Sequence, residues 1–268
     1  MPKVNVNDIE MYYEVHGEGI PLVMINGYSG NIDNWDHLVP IVGTLSKHFK
    51  VITLDNRGTG RSSKPEGPYS IKTMADDVAL LLDLLEIEKT HVLGASMGGM
   101  IAQELALRHK DKVDALVLIC TSPGGKAYQI SGQREAFEYI RRISSPPPGM
   151  SMQEIMEELF SIVYNPKYFE ENRDRIMSPS TKYLTVVSTL EKQYDACVSH
   201  DTYDRLGSIE GRTLVIHGEN DLLLFPEGAR ILAENIPNAS LLMVKEAGHM
   251  VPYEKWDELY PEVLVFLS

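Results

Sequence analysis

The residues with the strongest chemical claim are Ser96, Asp221 and His249. Ser96 is the centre of Gly94-Ala95-Ser96-Met97-Gly98, which follows the apolar run HVLGA and leads into MIAQELALRH. The pattern G-x-S-x-G suits a strand that turns sharply into a helix. The corner residue takes strained dihedrals, and its neighbours two places away must be small or the backbones collide. A serine at that corner is held up above the sheet, at a helix N-terminus that favours developing negative charge. The bland alternative is a tight turn with a serine cap. A bare hydroxyl is a weak nucleophile; it needs a base, and the base needs an orienting acid. Asp221 comes just after the run TLVIHG and His249 just after LLMVKEAG, so the chain order is serine, acid, histidine. That order serves acyl transfer on an open parallel sheet.

Competing residues are weaker. Glu219 is a possible acid but lies nearer the strand end, and the turn ICTSPGG after Cys120 holds no carboxylate. His249 follows a strand through Gly248 into a final helix, as a base should. His217 ends a strand and reads as a hydrogen-bonded strand-end residue. His16, His37, His48, His91, His109 and His200 read as surface or helix-end residues. An oxyanion hole needs two backbone N–H donors. Met97, next after the nucleophile, offers one. The loop GYSGN after PLVMIN offers the other, at Tyr28, because Gly27 lets the backbone fold close.

Three residues so far apart in sequence need a scaffold that brings strand ends together. KVNVND and IEMYYEV alternate and read as an edge hairpin bent at Asn7 and Asp8. PLVMIN, KVITLD, HVLGA, ALVLIC, TLVIHG and LLMVKEAG are continuous apolar runs, as expected of parallel strands buried on both faces. Helical patterns lie between most of them: residues 34–49, 71–87, 100–109, 226–236 and 254–267. The fold class is therefore α/β, a mostly parallel doubly wound sheet. Ligands bind at the carboxyl edge of such a sheet, where Ser96, Asp221 and His249 all fall. Between Cys120 and Thr213 the rhythm stops. That stretch carries helical pieces at 134–143, 152–164 and 181–199, with the proline-rich break SSPPPG at 144–149. It reads as an inserted helical cap. The expected division is a core over 1–122, a cap over 123–210, and the rest of the core over 211–268.

The bulk numbers bound the function. A chain of 268 residues with 43% apolar and 24% charged residues suits one sizeable α/β domain with an insertion. A formal net charge of −13 argues against nucleic acid and anionic membrane as partners. Cys120 and Cys197 read as reduced, buried thiols, and the N-terminus lacks the pattern of a signal peptide, so a cytoplasmic location is expected. No apolar run approaches the roughly 18 residues of a membrane span. GTGRSS lacks the third glycine of a dinucleotide fingerprint, and neither a P-loop nor metal-ligand spacing is present, so no cofactor and no metal are expected. The cap carries Met150, Met152, Met156, Phe160, Tyr164 and Tyr194. These suit either an adaptable apolar pocket or simple cap packing. Met156, Phe160 and Tyr194, together with Trp35 in the core, are the candidate pocket residues. The sequence leaves the oligomeric state open, a homo-oligomer included.

NGYSGNIDNW, LDNRGTGRSSKP, GASMGGMIAQELA, HGENDLLLFP and EAGHMVPYEKWDE together give a likeness that runs nearly end to end. The chain resembles an α/β-hydrolase with a helical cap. Within that family it is most similar to the bacterial group of 3-oxoadipate enol-lactonases, cofactor-free haloperoxidase-type esterases and aromatic carbon–carbon-bond hydrolases. The resemblance implies Ser96 as nucleophile, Asp221 as acid, His249 as base, and Tyr28 and Met97 as oxyanion donors. Many members carry His-Gly where this chain has Asn26-Gly27, and Asn26 is expected to fix the loop through side-chain hydrogen bonds instead. The Asp55-Asn56-Arg57-Gly58 stretch reads as a structural loop. The expectation is a cofactor-free serine hydrolase of a small carboxylic ester or lactone. The alternatives are carbon–carbon-bond hydrolysis of a diketone by the same triad, peroxide-dependent perhydrolysis as a side reaction, and a ligand-binding receptor.

Overall fold

Apolar runs without alternation are buried on both faces only when helices cover both sides of their sheet. The computed structural model, which describes residues 2–130, 141 and 149–268, has that arrangement. Its strands are β1 Lys3–Val6, β2 Ile9–His16, β3 Pro21–Ile25, β4 Lys50–Leu54, β5 Thr90–Ala95, β6 Val113–Ile119, β7 Arg212–Gly218 and β8 Ala239–Val244. They form one sheet in the order β1-β2-β4-β3-β5-β6-β7-β8. β1 and β2 are the antiparallel hairpin, with Asn7 in the turn at φ 47°. β2 runs antiparallel to β4, and every later pairing is parallel. Leu22, Val23, Met24 and Ile25 in β3 are completely buried. β8 departs from this pattern: it is an edge strand, and Leu241 on it is exposed.

The helices are α1 Ile41–Leu45, α2 Ile71–Leu84, α3 Met97–Arg108, α4 Lys126–Ile130, α5 Met152–Val163, α6 Pro166–Ile176, α7 Val187–Val198, α8 Pro226–Asn235, α9 Val251–Glu254 and α10 Trp256–Leu267. Their starts follow local chemistry. Ser70 Oγ accepts the Thr73 N–H at 3.0 Å and opens α2. Ser151 and Glu154 form a reciprocal capping box on α5, and Asn165 followed by Pro166 opens α6. One face of the sheet is packed by Met74, Val78, Leu82, Ile101 and Leu105 from α2 and α3. The other is packed by Ile41 and Leu45 from α1 and by Trp256, Leu259 and Val263 from α10.

Two helical expectations come out shorter. The pattern at 34–49 yields a 3-10 turn at Ile32–Asn34 and then α1, because Pro40 stands at the start and Asp36 caps Val42 N–H at 2.7 Å. The pattern at 181–199 becomes helical only from Val187. The helix α6, not anticipated from periodicity, lies within the stretch between β6 and β7. The helix expected at 134–143 and the break that follows lie, apart from Arg141 and Gly149, outside the described residues.

Residues 123–125 and 200–202 meet at one seam. Gly124 bridges Asp201, Gly125 N–H donates to His200 O at 3.0 Å, and Thr202 N–H donates to Pro123 O at 2.8 Å. Cys120 and Cys197 are both free and buried. No helix among the described residues is long and apolar enough to cross a membrane.

Candidate active site

The corner between β5 and α3 is built from backbone collisions avoided. Ser96 sits at φ 55°, ψ −120°, a strained conformation for a residue with a side chain. Such strain costs about 1–3 kcal/mol and persists only where the surroundings over-determine it. Here Ser96 N–H donates to Ile119 O at 2.8 Å, and Ser96 O accepts Thr121 Oγ1 at 2.8 Å and Gly99 N–H at 2.9 Å. A Cβ on Gly94 would stand 2.3 Å from Gly98 O, and one on Gly98 would stand 2.0 Å from Ile25 O. Only glycine fits at either place. Gly94, Met97 and Gly98 around the corner are buried, while Ala95 and Ser96 keep partial exposure.

The strand β7 delivers the acid and the loop after β8 delivers the histidine. His249 Nδ1 lies 2.7 Å from Asp221 Oδ2. The acceptor is a carboxylate, so Nδ1 carries the proton and Nε2 is left as the basic nitrogen. Asp221 is buried, and its Oδ1 accepts Leu223 N–H at 2.8 Å and Leu224 N–H at 2.9 Å. Burial pushes its carboxyl up. Electrostatic attraction to the His249 ring and hydrogen bonds from His217 and His249 outweigh that, so the group is held well below its ordinary value. Glu219, the rival acid, is exposed and makes no such contact; its N–H donates to Val244 O at 2.9 Å.

His217 does more than end a strand. Its Nε2 faces Leu224 O at 2.6 Å and Asp221 Oδ2 at 3.1 Å, so it donates into the acid's own oxygen. Cys120, at φ 44°, completes the surroundings, and burial together with the nearby Asp221 pushes its thiol well up. Donor atoms of Cys120, His217 and Asp221 lie within 4.8 Å of one another, the only such compact group among the described residues. Asp221 and His217 are already committed to each other and to the backbone, so the trio is the acid's hydrogen-bond shell. Glu254 was missed in the sequence. Its carboxylate accepts Gly248 N–H at 3.1 Å and Asn165 N–H at 3.2 Å, which fixes the residue before His249.

The loop after β3 lies against Ser96. A Cβ on Gly27 would be 3.1 Å from Ser96 Cβ and 3.6 Å from Ser96 Oγ. Asn26 holds this loop as the sequence suggests: its Nδ2 donates to Asn31 O at 2.8 Å, and Asn56 Nδ2 donates to Asn26 O at 3.0 Å. Gly30 N–H closes a turn onto Gly27 O at 3.2 Å. Tyr28 follows directly on Gly27, and Met97 heads α3, where first-turn N–H groups have no partner within the helix. The Asp55–Gly58 stretch is structural, as expected. Arg57 pairs with buried Asp77 at 2.7 Å, and Asp55 accepts Ile32 N–H at 2.8 Å and Arg61 N–H at 2.7 Å.

The candidate pocket residues separate. Trp35 is buried in the core cluster shared with Ile41, Val42 and Trp256. Met156 lines an outer cleft of about 370 Å³ with Gln153, Glu157, Arg173, Asp174 and Met177, and no triad member borders it. Phe160 meets Tyr164 edge-on at 5.8 Å, within a cluster that joins the cap to Leu38 and Leu223. Tyr194 is half-buried on α7 against the core cluster that includes Met97 and Met100. Two histidines expected at the surface are buried: His91, beside Asp114, and His200, at the cap seam. Among the described residues, neither ring nitrogen of His200 has a hydrogen-bond partner.

The comparisons with known proteins speak to the fold and family. The model of the α/β hydrolase fold matches residues 20–255. A protein assigned as a carbamate hydrolase, RutD, of Azorhizobium caulinodans is 30% identical over 255 residues, covering 93% of this chain and 91% of that one. A protein assigned as a non-heme bromoperoxidase, BpoC, of Mycobacterium tuberculosis is 29% identical over 262 residues, covering 97% and 98%. The crystal structure of the enol-lactonase from Burkholderia xenovorans superposes with a TM-score of 0.83 at 27% identity, covering 99% of each chain. On sheet order, elbow and sequence together, the chain belongs to the α/β hydrolase fold family.

Proposed function

We propose that the protein is a cofactor-free serine hydrolase of small carboxylic esters or lactones, with residues 123–210 as the cap over its site. Two features carry this reading: a strained, partly exposed Ser96 at the end of β5, and a His249 past the end of β8 whose Nδ1 is held by the buried carboxylate of Asp221 at 2.7 Å. Ser96 Oγ attacks the carbonyl carbon while His249 Nε2 takes its proton. The tetrahedral oxyanion accepts N–H donation from Tyr28 and Met97. Collapse expels the alcohol, protonated by His249, and leaves an acyl-Ser96. Water, activated by the same nitrogen, then releases the acid. Asp221 stays ionised throughout, with four hydrogen-bond donors around it. The likeness to an enol-lactonase supports a cyclic ester among the substrates.

The test is a fluorophosphonate probe on the wild type and on Ser96→Ala, followed by a panel of p-nitrophenyl esters, lactones and vinylogous diketones. Labelling confined to Ser96, with turnover of esters or lactones, is the expected result. No labelling of the folded wild type would remove the serine-hydrolase reading. Turnover of diketones alone would move the reaction to carbon–carbon bonds.

A further inference from the structure

The cap segment 185–193 reaches down onto two consecutive residues of the loop that faces Ser96. Thr185 Oγ1 donates to Ser29 O at 2.8 Å, Tyr28 OH donates to Leu190 O at 3.0 Å, and Ser29 N–H donates to Gln193 Oε1 at 2.9 Å. Gln193, on α7, is completely buried. Its Nε2 points to Arg57 O at 3.4 Å, so one carboxamide ties the 26–30 loop to the 55–58 loop. The orientation of that amide is set by chemistry: Ser29 offers a donor, and only the oxygen can answer it.

Ser29 needs an answer of this kind. It sits at φ 61°, in the left-handed region, which costs a residue with a Cβ roughly 1–2 kcal/mol. Its N–H belongs to the peptide that follows Tyr28, inside the turn closed from Gly30 N–H to Gly27 O. Without an acceptor on Ser29 N–H, the residue relaxes toward negative φ and the 27–30 turn rearranges, carrying with it the preceding Gly27–Tyr28 peptide, whose N–H is the candidate donor. An oxyanion donor is useful only when it lies within about 2.7–3.1 Å of the developing charge.

We propose that Gln193 is a positioning residue for the oxyanion hole, through which the cap helix α7 sets the orientation of Tyr28. The proposal rests on the serine-hydrolase reading and deepens it. Its consequence is that cap and chemistry are coupled: lifting α7 off the core takes the hole apart as well as opening the site.

The experiment compares wild type with Gln193→Met, which keeps the shape and removes both hydrogen bonds. The measurements are kcat and KM on a p-nitrophenyl ester, inhibition by an arylboronic acid that forms a tetrahedral adduct on Ser96, and thermal unfolding. A displaced oxyanion donor should lower kcat by about 10- to 100-fold with KM within about twofold, and weaken boronate binding by the same factor as kcat/KM. A purely structural role would lower the unfolding temperature and leave kcat and boronate affinity at wild-type values, and that result overturns the proposal. Loss of kcat without matching loss of boronate affinity also overturns it. Should Gln193→Met not fold, Thr185→Val carries the test. It removes one hydroxyl from a half-buried site, and a smaller but paired loss in kcat and boronate affinity is expected, wild-type values being the overturning result. Fluorophosphonate labelling of wild-type Ser96 separates the two failures. Labelling with an unaffected Gln193→Met sinks only the proposal, and absence of labelling sinks the serine-hydrolase reading itself.

Discussion

Ser96 and Ser29 are both serines at positive φ beside the same site, and they are held there in opposite ways. At the elbow the restraint is mainly backbone on backbone, with the Thr121 hydroxyl, itself from the core, on the Ser96 carbonyl. Ile119 O, Gly98 and the carbonyl of Ile25 leave the chain no other path, and the nearest contributors lie on adjacent parallel strands. At the loop the restraint is side chain on backbone, and it comes from the cap: Gln193 on the N–H and Thr185 on the carbonyl. A core elbow of this kind survives changes in the cap. The loop at Ser29 depends on contacts from residues 185–193, so on the proposed reading a displacement of that segment acts on the oxyanion side of the site and leaves the nucleophile in place.

Several changes would break or sharpen this contrast. The largest effect is expected on the core side. Asp221→Asn should lower kcat by roughly 10⁴, because the wrong histidine tautomer is favoured, while Glu219→Gln stays within about twofold of wild type. Steady-state kinetics on a p-nitrophenyl ester reads both, and reversed outcomes would move the acid to Glu219. Next comes the elbow itself. Gly98→Ala drives a Cβ to 2.0 Å from Ile25 O and 2.8 Å from Asn26 O, atoms of backbone that cannot step aside. Its cost in urea unfolding should exceed the ~1–3 kcal/mol of ordinary overpacking. A milder value would mean that the elbow is more pliable than the contrast requires.

The seam between core and cap should show in acid. Burial, with Arg205 and Lys72 adding to it, lowers the His200 imidazole from 6.5 to about 3. The folded state keeps it neutral, while the unfolded chain takes up a proton below about pH 6.5. Its contribution to stability is therefore fully present above pH 6.5 and is lost as pH falls toward 3. In that window it adds up to about 1.4 kcal/mol per pH unit to the slope of unfolding free energy. His200→Leu should flatten the slope between about pH 4 and 6 by nearly one proton, and equal slopes would show that His200 is already charged in the fold. The smallest effect is expected on the outer cap. Met156→Ala should leave ester ranking unchanged and stability within about 0.5 kcal/mol, since exposed Gln153, Arg173 and Asp174 share its cleft and no triad member does. Phe160→Ala, inside the cluster that joins cap to core, should cost about 1–3 kcal/mol. A shift in chain-length preference for Met156→Ala would put that side chain on the substrate wall after all.

Where residues act through their immediate neighbours, the sequence by itself determined the outcome. Apolar runs without alternation set the parallel strands, because a strand buried on both faces has no polar side to show. Glycines two places either side of Ser96 set the elbow, because steric exclusion works over a few bonds. Asp221 and His249 were legible because each follows a strand and so falls at the carboxyl edge. Where action depends on which surfaces the fold presses together, only the tertiary structure decided. His217 read as a strand-end residue until Asp221 Oδ2 was found 3.1 Å from its Nε2. Glu254 gave no signal at all, and Trp35 and Met156 differ from their expected places because periodicity cannot say which neighbour a helix face meets. Gln193 is the extreme case. It meets Ser29 across 164 residues of chain, and nothing local marks a buried glutamine as the acceptor for one strained peptide. Local sterics are written in short patterns, whereas a side-chain hydrogen bond between a cap and its core exists only once the chain has closed.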